Sequence, residues 1–442
     1  MRDMRTRSFR VGLPVVLAVM IVVLLSFALF RRGPSALPSA SHRLHEPENA
    51  IYLWQRQWGA SVGQAVERAA PAVDSFMVLG AEFVVADGEL RCRLTGAEWS
   101  LFATAKRPVW VVLRAHELPV VDTPEGRGQA VGMLAGTARD IIGTARDAGA
   151  PVHGIQLDYD CPTEDLGHYA HLLEKLREEL KGVPVSVTAL PTWLGRPGFR
   201  SVLEGLDHFV LQVHSLARPA DAGDPAILCD TTRVAGWVKD AASLQCPFYV
   251  ALPAHGYRLV FDAGGELVEV GAEGLEEVHA GGITQEVRAD PAAIAGVVRA
   301  LRALPPSCRR GVAWFRLPVE GDRLNWRWTV LEQVMAGRAP RVELVAEVRR
   351  PSEGLYEVWV VNGGEYRPTE PIRVRVDWTG GTVAAHDALG GFRYAGGPGN
   401  VGGHLLGTAP DAGEEGMAAW FRFTRADTGQ DVVFTANVET VR

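Results

Sequence analysis

At 442 residues the chain is longer than a typical single domain and can bury a large core, so two domains and a tail are expected. A formal charge of -7, with no Lys/Arg cluster interleaved with aromatics in the body of the chain, excludes the electrostatic footprint of a nucleic-acid partner.

The start of the chain differs from the rest. Arg2, Arg5, Arg7 and Arg10 precede an uncharged run from Val11 to Phe30, which as a helix spans roughly 30 Å, the hydrocarbon thickness of a bilayer. Arg31 and Arg32 follow directly, with no small-x-small exit and no lipid-accepting cysteine. Residues 1–32 therefore read as a basic cytoplasmic start and a retained transmembrane anchor; a cleaved signal is the alternative, with Ala36 and Ala40 as poor cleavage points. The positive-inside rule leaves the remainder on the periplasmic or extracellular side of the cell membrane, a single-pass arrangement. Residues 33–48 contain Pro34, Pro38, Pro47 and several serines, too few apolar groups to pack, and read as a flexible linker.

Across residues 49–338 short apolar strands alternate with helical stretches, the pattern of a parallel sheet covered by helices. Strands are predicted at Ile51 to Trp54, Ser75 to Leu79, Val109 to Leu113, Val152 to Asp160, Pro184 to Leu190, His208 to His214, Phe248 to Leu252 and Val312 to Leu317. Helices are predicted at Gly128 to Gly149 and Glu164 to Lys181, the second with Leu166, Tyr169, Leu172, Leu173, Leu176 and Leu180 on one face and Thr163 as N-cap. Eight such units fit a closed (β/α)8 TIM barrel better than an open doubly wound sheet, and no phosphate-cradling glycine loop follows the first strand. Polar residues gather where these strands end: Glu82, Arg114 and His116, Asp158 and Asp160, Thr192 and Trp193, Gln212 and His214, His255 and Tyr257, then Arg316. After the seventh strand, Leu259 to Phe261 and Leu267 to Val270 flank Asp262-Ala-Gly-Gly265, a β-hairpin placed to wall one side of a cleft.

Residues 341–442 change to alternating strands with turns, near Val342 to Val348, Tyr356 to Val361, Ile372 to Trp378, Ala418 to Phe423 and Val432 to Val438. They predict an all-β sandwich, with the glycine-rich stretch Gly390 to Gly407 as a loop. This domain is a carbohydrate-binding module or a scaffold that covers the barrel; no exposed aromatic row can be read off the sequence. Five cysteines in an exported chain allow two disulfides, predicted as Cys161 with Cys229 and Cys246 with Cys308 from their matching places at strand ends, leaving Cys92 free; the alternative is five reduced thiols.

The densest chemistry lies in the fourth strand. Side chains alternate with period two, so Gln156, Asp158 and Asp160 share one face and Ile155, Leu157 and Tyr159 the other. Two neighbouring carboxyls titrate jointly with one proton held to higher pH, as a general acid requires; the plain alternative is an ion-paired strand end.

The ten residues His153 to Pro162, HGIQLDYDCP, resemble the fourth-strand motif of family 18 glycoside hydrolases, the chitinases, written DGxDxDWEYP. Further matches follow in that family's order: Thr188 to Pro191, then Ala251 to Gly256 against GxPxYG, then Gly311 to Trp314. More narrowly, the chain is similar to an uncharacterised bacterial family, domain of unknown function 3142. The resemblance spans roughly residues 50–337 and implies substrate-assisted, retaining hydrolysis, in which the sugar's own acetamido carbonyl attacks the anomeric carbon. It implies Asp160 as the proton donor, Asp158 as the group that orients the acetamide, and Trp314 as the floor beneath the sugar.

The chain also departs from the family. Asp160 stands where the family has Glu and reaches about an ångström less far. Gln156 replaces the first Asp of the motif and keeps an amide able to bond Asp158. His255 replaces a tyrosine, and His214 ends a strand whose family tyrosine is missing. Trp54 and Trp314 are candidate sugar platforms or plain core rings. Gln212, His214 and His255 are candidate sugar contacts; Arg114 and Arg316 bind an acidic sugar or pair with Glu82 and Asp160. His214 and His255 with Asp158 have no metal-ligand spacing, so no metal or cofactor is expected. The expected function is a membrane-anchored glycoside hydrolase acting on a polysaccharide or glycan with 2-acetamido sugars; the alternative is a non-catalytic carbohydrate-binding barrel of the cell envelope.

Overall fold

A computed structural model describes residues 47–118, 124–214, 219, 221, 224, 226–271, 283–305, 307–396, 401–425 and 431–440. The predicted anchor, and all of the predicted linker except Pro47 and Glu48, lie outside the described residues. Among the described residues no helix is long and apolar enough to cross a membrane.

Eight strands, β1 (Glu48–Leu53), β2 (Ser75–Ala86), β4 (Val109–Ala115), β5 (Val152–Tyr159), β6 (Val185–Ala189), β7 (His208–Gln212), β8 (Phe248–Pro253) and β12 (Arg309–Phe315), form a parallel sheet that closes through pairing of β1 with both β2 and β12. Period-two alternation explains why it closes. One face of each strand carries Tyr52, Met77, Trp110, Val112, Val210, Tyr249 or Ala251 into the barrel interior, while Ile51, Val111, Ile155, Leu157 and Val187 point outward into the layer shared with the helices. Gly154 has a packing reason: a Cβ there would fall 2.5 Å from the Pro184 carbonyl oxygen and 2.6 Å from the Trp110 ring.

β2 continues past the barrel and pairs antiparallel with β3 (Glu89–Leu94) across a turn at Asp87-Gly88, both at positive φ. This hairpin is absent from the sequence expectation, although Asp-Gly between apolar runs is its signal. The helix after β5 begins at Leu166, not at Glu164 with Thr163 as its cap. Thr163–Asp165 forms a single 3-10 turn, and no side chain caps the helix. Its apolar face, Leu166 through Leu180, is buried against the sheet as its spacing predicts. After β8, β9 (Gly256–Phe261), β10 (Leu267–Gly271) and β11 (Ile283–Arg288) form a small antiparallel sheet whose first turn is tied by backbone amides of Gly264 and Glu266 donating to Asp262.

The C-terminal part is a sandwich of two four-stranded sheets. One has the order β13 (Leu344–Ser352), β14 (Leu355–Asn362), β19 (Glu415–Arg425), β16 (Gly381–Ala388); the other β17 (Arg393–Gly396), β18 (Gly402–Gly407), β15 (Ile372–Thr379), β20 (Val433–Thr440). Val358, Val374, Val376, Trp378 and Phe421 fill the space between them. The stretch Gly390 to Gly407 is not simply a loop, since it supplies β17 and β18. Its glycines make room for aromatic rings: a Cβ at Gly403 or Gly407 would lie 2.5 Å from the ring of Tyr394 or Phe392. Arg367 of this domain pairs with Glu286 of β11 at 2.9 Å, tying the sandwich to the barrel insert.

The two predicted disulfides do not form, and all five cysteines are free. The Cys161 thiol is buried and donates to the Pro162 carbonyl at 3.3 Å, and burial pushes it and Cys229 up to about 12. Cys246 and Cys308 sit at the starts of neighbouring strands, and burial raises Cys246 to about 11.

Candidate active site

A cleft of about 540 Å³ opens at the carboxyl ends of the barrel strands. Neighbouring strands there place Glu82, Arg114 and Asp158 in register, an acid, a base and an acid side by side. Arg114 holds two carboxylates at once, Asp158 at 3.1 Å and Asp160 at 2.8 Å. Burial works against its charge, but the two acids outweigh that and raise its pKa.

Asp158 and Asp160 share a face yet occupy different environments. Asp160 lies just past the end of β5, with its side chain 41% exposed, accepting from Arg114. Asp158 is buried one step deeper and accepts a 2.6 Å bond from Thr188 on β6. Burial raises the Asp158 pKa and the charge of Asp160 adds to the rise, against Arg114 and Thr188, which favour the carboxylate. The carboxyl that burial holds toward the protonated form is thus Asp158.

Beneath Asp158 lies Gln156, fully buried and outside the cleft lining. Its Oε1 accepts from the Tyr52 hydroxyl at 2.7 Å and its Nε2 has no hydrogen-bond partner, so the expected amide bond to Asp158 is not made. Gln156 supports the site from below and cannot touch a ligand in the cleft.

The aromatic floor also differs from expectation. Trp314 is fully buried in the helix layer and donates to Asn49 at 3.0 Å, so it is not part of the cleft. Strand parity is the reason: Ala313 and Phe315 point inward on β12, so Trp314 must point outward. Phe315 takes the floor, edge-on to Trp54 at 5.2 Å and stacked on His214 at 5.1 Å. Trp54, Gln212 and His214 do line the cleft. His255 does not: it lies fully buried behind Phe315, its Nδ1 3.0 Å from the Phe315 carbonyl. Burial lowers both imidazoles, His214 to about 4 and His255 well below the ordinary value, so both are neutral at neutral pH. Arg316 reaches the cleft lining while paired with Asp322 and Asn325, not with Glu82 or Asp160.

Among the described residues no group of three His, Cys, Asp or Glu side chains is placed to hold a metal ion. Sequence reasoning gave no role to Arg56, which takes Glu82 in place of the expected arginines in a bidentate pair at 2.7 and 2.9 Å on one wall, with His116 3.5 Å from Glu82. The Arg56 bond leads the causes that hold Glu82 below the ordinary carboxylate range. Tyr257 and Val270 of the insert complete the opposite wall. A larger cavity, about 850 Å³, lies between the barrel and the sandwich. Some of its lining charges are paired, Arg367 with Glu286 and Asp411, and Asp322 with Arg316; neither acid of the β5 motif reaches it, so the smaller cleft is the candidate site.

The spore cortex-lytic enzyme SleL of Bacillus megaterium is similar over 66% of this chain and 74% of its own, at 13% identity and a TM-score of 0.47. A chitinase from Chromobacterium violaceum is similar over 66% of this chain and 99% of its own, at 15% identity and a TM-score of 0.45. A chitinase from Bacteroides thetaiotaomicron is similar over 65% and 95%, at 14% identity and a TM-score of 0.43. No curated protein matches the chain. The family model described as Domain of unknown function (DUF3142) matches residues 106–320, and the chain is similar to that family over this stretch, which runs from just before β4 past the end of β12.

Proposed function

We propose that the protein is a glycoside hydrolase of the cell envelope, acting on a polysaccharide or glycan with 2-acetamido sugars by substrate-assisted retaining hydrolysis. The observation that supports this best is the division of labour on one strand face, with Asp160 exposed at the cleft mouth and Asp158 buried below it between Thr188 and Arg114. In this reading Phe315 and Trp54 support the sugar ring. Asp158 orients the acetamide, whose carbonyl oxygen attacks the anomeric carbon as the glycosidic C–O bond breaks. Asp160 gives its proton to the leaving oxygen, then removes one from the water that opens the cyclic intermediate. The apolar run from Val11 to Phe30 is proposed as the single-pass anchor, with the barrel and sandwich outside the cell membrane.

A second reading, a carbohydrate-binding barrel without turnover, draws on the 2.8 Å bond from Arg114, in which Asp160 accepts rather than donates. Turnover of chitin oligosaccharides, peptidoglycan fragments and poly-N-acetylglucosamine, run beside calorimetric binding, separates the two. Release of new reducing ends is expected; tight binding without cleavage overturns the hydrolase reading in favour of the second.

A further inference from the structure

The outer face of the sheet β13-β14-β19-β16 carries two large aromatic side chains that the sandwich does not use. Along β14 the inward residues Tyr356, Val358 and Val360 fill the core, so Glu357 and Trp359 point outward; along β19, Phe421 and Phe423 point in and Trp420 points out. Both indoles are partly exposed, and neither packs on the sandwich core. The Trp359 ring is covered on one face by the Arg349 guanidinium, 4.4 Å from its centroid. Glu347 and Glu415 hold Arg349 at 2.9 and 2.7 Å, and the Trp359 indole N–H donates to Glu357 at 2.9 Å. These groups make a fixed wall. Beside it, Trp420 lies directly opposite Glu357 on one neighbouring strand and Asp387 on the other.

We propose that this face is a second carbohydrate site, which takes a polysaccharide strand with one pyranose ring stacked on Trp420 and its hydroxyls donating to Glu357 and Asp387. A pyranose offers an apolar C–H face and a rim of hydroxyls, and the surface is built as its complement: a flat ring flanked by an acidic residue on each neighbouring strand, the strands themselves lying about 5 Å apart. A protein partner fits less well, because the centres of protein interfaces are depleted of charge, whereas here charge borders the ring on both neighbouring strands.

The site does not depend on turnover in the barrel, and its test is retention of the full-length chain on insoluble chitin, peptidoglycan sacculi and cellulose. Trp420→Ala is expected to lower retention on at least one of these by about tenfold, the loss of one stacked ring, with an unchanged melting temperature. Glu357→Gln with Asp387→Asn keeps the ring and should lower it several-fold, which covers the case in which Trp420→Ala fails to fold. Phe315→Ala, in the barrel, serves as the contrast. The proposal is overturned if both sandwich variants bind like the wild type, if Phe315→Ala alone abolishes retention, or if Trp420→Ala instead abolishes self-association in sedimentation, which would assign the face to a second copy of the chain.

Discussion

The two ends of the barrel each carry a cluster of charged and titratable groups, and they differ in what covers them. At the carboxyl end, Glu82, Arg114, Asp158 and Asp160 face a cleft of about 540 Å³. At the amino end, Asp207 pairs with Arg310 at 3.0 Å and with His208 at 2.9 Å, and the Tyr249 hydroxyl bonds Glu48. There the His208 ring is sealed edge-on between Trp110 at 4.5 Å and Tyr249 at 5.2 Å, fully buried, with its Nε2 unpartnered. A dyad of Asp and His resembles catalytic machinery in composition, but the open hollow of about 420 Å³ at this end reaches only the part-exposed Asp207 and not the buried His208 ring. Charge clusters are therefore poor guides by themselves; an opening lined by the whole cluster, as at the carboxyl end, separates the two ends.

If the upper cluster is a balanced site, removing its one shared cation should have the largest effect. Arg114→Gln leaves Asp158 buried beside Asp160 without a counter-charge and should cost about 3 to 5 kcal/mol of stability at neutral pH. The sign follows from Asp158, whose folded pKa is already raised by burial and by Asp160. Such a group stabilises the fold below its unfolded pKa and loses that contribution as pH rises through its folded value. Loss of Arg114 moves the folded value further up, so the penalty should shrink when urea unfolding is repeated near pH 4. A penalty that is independent of pH would mean that Arg114 acts through packing alone.

Asp160→Asn should leave the fold and sugar binding intact while lowering turnover by about 10² or more, since the amide cannot supply the proton. Asp160→Glu examines the departure from the chitinase motif. In a site rebuilt around the shorter acid the extra methylene should slow hydrolysis, whereas faster hydrolysis would show a site still shaped for Glu. Single-turnover kinetics on a chitin oligosaccharide measures both.

Much of this arrangement is legible in the sequence, and the places where it is not have local causes. The faces of β5 follow from period two alone, which is why Asp158 and the buried partners Ile155 and Leu157 fall where alternation puts them. Glu82 escapes the same rule. A bulge at Gly80 shifts β2 by one residue, so that Leu79 pairs with Val112 and Ala81 with Leu113, and Glu82 swings into line with Arg114. Trp314 fails for the opposite reason: motif matching gave it a role that strand parity assigns to Phe315. Phe315→Ala should accordingly weaken glycan affinity by about tenfold. Trp314→Ala should cost stability, as emptying a buried ring does, and leave the affinity of the folded protein unchanged. Equal affinity losses from both would return Trp314 to the site.

The smallest effect is expected at the amino end. Burial leads the causes that lower the His208 pKa, and Arg310 adds to the shift, while Asp207 and Glu48 oppose it. The folded protein therefore keeps His208 neutral where the unfolded chain, near pKa 6.5, takes up a proton. Stability from this group is full above that value and falls as pH drops below it, by up to about 1.4 kcal/mol per pH unit. His208→Phe retains the ring between Trp110 and Tyr249, leaves Asp207 to Arg310, and removes the titration. Between about pH 6.5 and 5 the variant should lose stability less steeply than the wild type, while hydrolysis and sugar binding, governed at the other end, should stay as they are. Parallel pH slopes would mean that His208 takes up its proton alike in the folded and unfolded chain, a shallower slope in the wild type that it is an imidazolium paired with Asp207, and a change in sugar affinity that the two ends are coupled through the barrel interior.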